Sequence, residues 1–263
     1  MGLRKAKGNT YPDCNWLWSP LVGGCQHQCP YCYAAGDQIR YGKGWQEKPH
    51  WGSENFKKMP QTDPVWIGLP KLPEGRIFVC DTTDLFAENI QSDWIETILD
   101  HCWQQWCYNA NHSFVIQTKK PERLKEFNYI FERFPNGVLR FGITLETNRD
   151  TSDISKAPLP YDRMIAFRDF ISQTQYESFV TIEPIMAFDL KEFLGWFQQF
   201  TPDLVWIGAD SHKCNLQEPT SKEIKRLIRE LEYITEVRLK DNLNRLLPIN
   251  TRELLDDNIL IVK

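Results

Sequence analysis

No apolar run in this sequence is long enough to cross a bilayer, so a membrane-spanning helix is not expected. Nor is there a surplus of positive charge: 31 Lys and Arg stand against 35 Asp and Glu, for a net charge of -4. Composition therefore carries no general signal for nucleic acid or an anionic membrane, although a local basic groove fits within such a balance. The opening stretch Met1-Gly2-Leu3-Arg4-Lys5-Ala6-Lys7 is basic, but no apolar segment follows it, and a secretory signal is not expected. A second cysteine-rich module is lacking too. Outside one dense stretch, Cys14, Cys80, Cys102, Cys107 and Cys214 are scattered. Eight cysteines without a paired framework suit a cytoplasmic chain whose thiols stay reduced.

What is present is ample core. The 263 residues are 41% hydrophobic and 13% aromatic, enough for one barrel-sized domain, and residues 1–263 read as a single domain. The dense stretch is Cys25-Gln26-His27-Gln28-Cys29-Pro30-Tyr31-Cys32, behind Gly23-Gly24. Three thiols spaced Cys-x3-Cys-x2-Cys can converge on one face of a tight loop, an arrangement suited to an iron-sulfur cluster. Only three are supplied, so one iron stays open to something other than protein. The alternative is structural zinc, which usually takes four ligands, often as two Cys-x2-Cys pairs; the nearby candidates for a fourth are Cys14 and His27.

Around this stretch the chain alternates short apolar runs with amphipathic ones. Asn15 to Trp18 reads as a first strand, and a helix is expected from near Tyr33 to Tyr41. Residues 42–75 form an irregular insertion, either a functional wall or lid or a solvated excursion packing Trp45, Trp51 and Trp66. From there strands are expected at Arg76–Asp81, Phe114–Gln117, Val138–Leu145, Phe179–Ile182, Leu204–Ile207 and Val237–Lys240. Between them lie helices: Ser92–Cys107, one opened by Pro121 with Leu124, Phe127 and Phe131 inward, and one near Asp162–Thr174. Two more begin at apparent capping boxes, Asp189 with Glu192 and Thr220 with Glu223. Such alternation implies an α/β fold with a parallel sheet, either an incomplete barrel or a doubly wound open sheet. In both, ligands bind at the carboxyl ends of the strands.

The residues that follow each apolar run are polar: Asp81-Thr82-Thr83-Asp84, Gln117-Thr118-Lys119, Thr144 and Glu146, Thr181 and Glu183, Asp210-Ser211. Each alone suits any solvated turn; jointly they outline a binding site. Glu146 and Glu183 stand out, because a carboxylate inside strand-like sequence needs a partner to offset desolvation. Lys119, Lys240 and Asp241 either meet a substrate or form salt bridges. Cys80 and Cys102 fall on buried faces and read as core thiols.

The cysteine spacing, with Tyr31 just before the last thiol, resembles the radical S-adenosylmethionine (SAM) superfamily. More narrowly, the chain resembles a phage- and bacteria-associated family of unassigned function within it. That resemblance rests on Trp18-Ser19-Pro20, Cys32-Tyr33-Ala34, Asp84-Leu85-Phe86, Thr118-Lys119-Lys120-Pro121-Glu122-Arg123, Phe141-Gly142-Ile143-Thr144-Leu145-Glu146 and Thr181-Ile182-Glu183-Pro184, in that order. It implies a partial (β/α)6 barrel of the TIM-barrel type. It further implies a 4Fe-4S cluster on Cys25, Cys29 and Cys32, SAM on the open iron, and an external electron donor of flavodoxin or ferredoxin type. Tyr31 would contact adenine, Thr82, Thr83 and Asp84 the methionyl amine, and Glu146 the ribose; Glu183 completes the candidate contacts. Where the superfamily usually has Gly-Gly-Glu, this chain has Asp-Thr-Thr-Asp. The implied activity is reductive cleavage of SAM to a 5'-deoxyadenosyl radical that abstracts hydrogen from an unknown substrate. Phage association favours a nucleoside or nucleic acid there. A metal-binding interaction protein without turnover is the alternative.

Overall fold

The computed structural model describes residues 2–7, 11, 13–22, 25–32, 34, 50–51, 69–247 and 260–261. The elements in chain order are β1 (Gly2–Lys5), β2 (Trp16–Ser19), β3 (Leu21–Val22), β4 (His50–Trp51), β5 (Gly75–Val79), α1 (Ser92–Tyr108) and β6 (His112–Thr118). A 3-10 segment (Pro121–Phe127) then leads into the short α2 (Asn128–Phe131), β7 (Leu139–Thr144), α3 (Pro160–Ile171) and β8 (Glu177–Ile182). The chain continues through α4 (Leu190–Gln199), β9 (Leu204–Ile207), α5 (Ser221–Glu232), β10 (Glu236–Leu239) and β11 (Leu260–Ile261).

Nine strands form one sheet in the order β1-β2-β5-β6-β7-β8-β9-β10-β11, and β3 and β4 make a separate antiparallel pair. Only β1 runs antiparallel to its neighbour; the rest of the sheet is parallel. Among the described residues the order never reverses, so they show no switch point of a doubly wound sheet. Among the described residues β1 and β11 are the two edges.

Alternation along the strands separates two cores. Phe114, Ile116, Val180, Ile182, Val205 and Ile207 face the helices. Val115, Phe179, Leu204 and Trp206 face the opposite way and pack with Tyr11, Leu17 and Phe78. The ring of Tyr11 lies 5.2 Å from that of Phe78 on β5, 5.4 Å from Phe179 on β8 and 5.7 Å from Trp206 on β9. In a flat sheet, strands four places apart are separated by roughly 19 Å and their side chains stand nearly parallel. One ring touches both only because the sheet curls around it. Gly142 makes space inside this curl, since a Cβ there would lie 2.2 Å from Cζ of Phe179.

Several expectations need correction. The helix expected from Tyr33 to Tyr41 lies outside the described residues apart from Ala34, and so does most of the 42–75 insertion. The last residues of that insertion are seated on α1 and β6 through His101 Nε2 to the Pro70 carbonyl (2.9 Å) and His112 Nε2 to the Leu72 carbonyl (3.1 Å). The segment after Pro121 is 3-10 rather than α as far as Phe127. Its buried apolar residues Pro121, Leu124 and Phe127 recur every three positions, the 3-10 period, with Arg123 buried beside them. Thr220 and Glu223 form the expected capping box, but Asp189 does not cap α4 with its side chain. Its carboxylate instead takes two bonds of 3.0 Å from the guanidinium of Arg149, a bidentate ion pair. Strand β1 was not expected. Arg4 on it donates to Asp81 (2.5 Å), which also accepts from Ser19 Oγ (2.5 Å), so a charge pair anchors the sheet edge beside the site.

Candidate active site

Parallel register brings the carboxyl ends of β5 to β10 to one edge of the curled sheet. There, with the cysteine loop, they enclose a cavity of about 340 Å³. Tyr11 and Phe78 form part of its lining. Cys25, Cys29, Tyr31 and Cys32 contribute one wall, and Thr82, Thr83, Asp84, Lys119, Glu183 and Lys240 contribute others. The polar strand ends singled out in the sequence thus share one space. Glu146 does not line it.

The cysteine loop turns tightly. Gln28 N–H donates to the Cys25 carbonyl (3.3 Å) and Cys32 N–H to the Cys29 carbonyl (3.1 Å), with Gln28 at φ 48°. None of the three is in a disulfide. Among the described residues no three His, Cys, Asp or Glu side chains sit close enough to hold a metal ion, so the thiols share a wall without the convergence expected of them. Burial, and secondarily the charge of Asp84, pushes the Cys25 thiol up to about 12. The donor set nevertheless fits a cluster: three sulfurs outside any disulfide, from one loop and on one cavity wall, leave a corner for another ligand. Of the two candidates for a fourth zinc ligand, Cys14 is buried in the inner core and His27 is engaged elsewhere.

That engagement is with Asp84. Its buried carboxylate accepts from His27 Nε2 (2.8 Å), Thr118 Oγ1 (2.8 Å), Lys119 N–H (2.7 Å) and Phe86 N–H (3.0 Å). Burial alone raises its pKa, but the bond and charge of His27 and the bonds from Lys119 N–H and Thr118 outweigh it and leave the carboxyl below its ordinary range. Asp84 therefore ties the cysteine loop to the end of β6. Thr82 and Thr83 beside it line the cavity, and Thr82 N–H donates to Ser19 Oγ (3.3 Å).

Glu146 is fully buried and accepts from Tyr31 Oη (2.5 Å), Lys119 Nζ (2.5 Å) and Arg163 Nη2 (2.9 Å). Burial opposes its ionisation; Arg163 first and Lys119 second overcome that and hold the carboxyl well below the usual carboxylate range. The Tyr31 phenol is pushed upward by burial and by the Glu146 charge. Lys119 Nζ lies 5.5 Å from the Tyr31 ring centre. Glu146 thus stands behind two groups that line the cavity.

Glu183 makes a second carboxylate group, accepting from Lys240 Nζ (2.6 Å) and Asn242 Nδ2 (2.6 Å). Lys240 Nζ also sits 4.2 Å above the Tyr11 ring. A Cβ at residue 208 would lie 2.6 Å from Glu183 Oε1, so Gly208 gives that carboxylate its room. Tyr11 Oη pairs with Thr181 Oγ1 (2.6 Å) and Gln117 Oε1, and Gln117 Nε2 donates to Thr144 Oγ1 (2.8 Å), a polar layer within the curl.

Sequence reasoning flagged both strand-end acids as needing partners, and both have them. It missed Arg163, although an arginine on the buried face with Met164 and Phe167 was a readable signal. It also missed His27 as the partner of Asp84, Tyr11 and Asn242; those contacts span tens of residues or more and leave no local trace.

The fold and cavity define an α/β protein with a ligand-sized space at the carboxyl ends of a curled parallel sheet. The chain belongs to the family described as "Protein of unknown function (DUF5131)", whose model matches residues 12–230. Among curated proteins no sequence matches. The structure is similar to spore photoproduct lyase. One variant of that protein superposes with a TM-score of 0.55 at 14% identity, covering 91% of this chain and 76% of the other. A second, solved with bound AdoMet and dinucleoside spore photoproduct, gives 0.51 at 14% identity, covering 86% and 63%. The chain thus spans less than two thirds of that neighbour's length, and at such identity the likeness is one of fold. Among the described residues no helix is long and apolar enough to cross a membrane.

Proposed function

We propose that the chain is a radical SAM enzyme in which Cys25, Cys29 and Cys32 hold a 4Fe-4S cluster and the cavity takes SAM. The observation that carries this reading is the set of three cysteines of one loop, none in a disulfide, lining the strand-end cavity. The fold shared with spore photoproduct lyase, one of whose structures holds AdoMet, supports it. When bound, the cluster supplies the electron that cleaves SAM reductively, giving a 5'-deoxyadenosyl radical that takes hydrogen from the substrate.

The chain's own residues position and enclose. Asp84 spends its acceptors on His27, Thr118 and backbone amides, so it fixes the 82–84 segment, and Thr82 and Thr83 meet the methionyl amine. Tyr31 flanks adenine, held by Glu146. The ribose role of Glu146 is exercised through Lys119 and Tyr31, which it orients. Glu183 and Lys240, paired near Tyr11, face the substrate end. The electron comes from a flavodoxin- or ferredoxin-type donor, and a nucleoside or nucleic acid is the substrate class.

The test is anaerobic reconstitution with iron and sulfide, dithionite reduction and assay of SAM for 5'-deoxyadenosine. Wild-type protein is expected to form it and Cys29→Ala to lose it entirely. Zinc in place of iron and sulfide, or a loaded cluster with no 5'-deoxyadenosine, would leave only a metal-binding interaction protein. Oligonucleotide binding absent even at low salt, where phosphate contacts are strongest, would remove a polymeric substrate.

A further inference from the structure

The turn between β7 and α3 reaches back to the cysteine loop through one buried hydroxyl. Ser155 Oγ lies 3.1 Å from Cys29 Sγ and 3.1 Å from the carbonyl oxygen of His27, and it accepts the N–H of Ala157 at 3.1 Å. Ser155 and Cys29 are each 6% exposed, so water does not compete freely for either. The Ser155 N–H is itself bonded to the Thr151 carbonyl (2.9 Å), which fixes the turn.

A serine hydroxyl has one hydrogen to give. With Ala157 N–H on one lone pair, that hydrogen has two acceptors within reach. When Cys29 is a thiol, its S–H has Ser155 Oγ (3.1 Å) and the His27 carbonyl (3.9 Å) as acceptors, and the hydroxyl hydrogen goes to His27. When Cys29 ligates iron it loses its proton to the medium and becomes an acceptor only. The hydroxyl then turns to the sulfur. The His27 carbonyl is not orphaned by the turn, because Lys156 N–H donates to it at 2.8 Å. The rotation exchanges a neutral hydrogen bond for a charge-assisted one and leaves no buried group unpaired.

We propose that Ser155 is a positioning residue that donates a hydrogen bond to the ligating sulfur of Cys29 and raises the reduction potential of the cluster. This rests on the iron-sulfur reading above. A donor to a ligand sulfur stabilises the more negative, reduced state, so its loss lowers the potential.

Wild type, Ser155→Ala and Ser155→Thr are reconstituted anaerobically, their iron and sulfide counted, and their clusters titrated by EPR against potential. Equal iron and sulfide in all three, a lower potential in Ser155→Ala and the wild-type potential in Ser155→Thr, which keeps the hydroxyl, is the expected result. Equal loading with Ser155→Ala at the wild-type potential overturns the role of Ser155 and leaves the cluster standing. Wild-type protein that takes up no iron and sulfide overturns the cluster and Ser155 with it. If Ser155→Ala fails to fold or load, Ser155→Gly, which also lacks the hydroxyl, takes its place: a lowered potential upholds the donor and the wild-type potential overturns it.

Discussion

Two carboxylates stand at neighbouring strand ends in this molecule, and they are treated differently. Glu146, after β7, has a side chain 1% exposed and both oxygens taken, by Arg163 on one and by Lys119 and Tyr31 on the other. Glu183, after β8, has a side chain 21% exposed, with Lys240 and Asn242 among its partners. The first lies behind the cavity wall and the second lines it. Depth sets the division of labour: a fully desolvated acid must be saturated with donors and becomes a structural clamp. A partly wet one is solvated in part and keeps a face toward the cavity.

The largest expected effect comes from breaking the deep group. Arg163→Met strips Oε2 of Glu146 of its donor and leaves the Thr144 carbonyl without its 2.6 Å bond. Loss of about 3–5 kcal/mol of stability is expected in urea denaturation. A cost below about 1 kcal/mol would show that the clamp is not one.

Glu146→Gln keeps the shape and removes the charge, at an expected cost on the order of 2–3 kcal/mol at neutral pH. Because the folded carboxyl titrates below its unfolded value of about 4.3, its stabilising charge is complete above that pH and fades as pH falls through the lowered value. The gap between wild type and variant should therefore close in acid. Denaturation midpoints at pH 7 and pH 3 check it, and a gap that is constant or widens toward acid would refute the clamp's electrostatic origin.

Lys240→Met should cost least, about 1 kcal/mol, because Glu183 retains Asn242 and some solvent. Its consequence is expected in the site instead, as weaker substrate-dependent turnover with the melting temperature little changed. Equal destabilisation by Lys240→Met and Arg163→Met would erase the distinction between the two acids.

Much of the framework was legible. The alternation of strand and helix, the polar residues at strand ends, the Thr220–Glu223 box and the core positions of Cys80 and Cys102 all follow from spacing within one element. The site was legible in part. The cysteine loop, the 82–84 segment and Lys119 were singled out and share a cavity, and both acids were flagged as needing partners. Which partners they took was not readable. Arg163 lies 17 residues from Glu146, Asn242 lies 59 from Glu183, and Asp84 lies 57 from His27. Asp189 had a local option and took a distant arginine over it.

Period and composition determined the elements, because hydrogen bonding within a helix and alternation within a strand act over a few residues that are neighbours in the chain. Tertiary structure decided how far the sheet curls around Tyr11, which charges meet, and which acid is sealed and which faces the cavity. Burial decides those matters, and burial is a property of the assembled fold: the same carboxylate is cheap in water and demands several donors once strands and helices close over it.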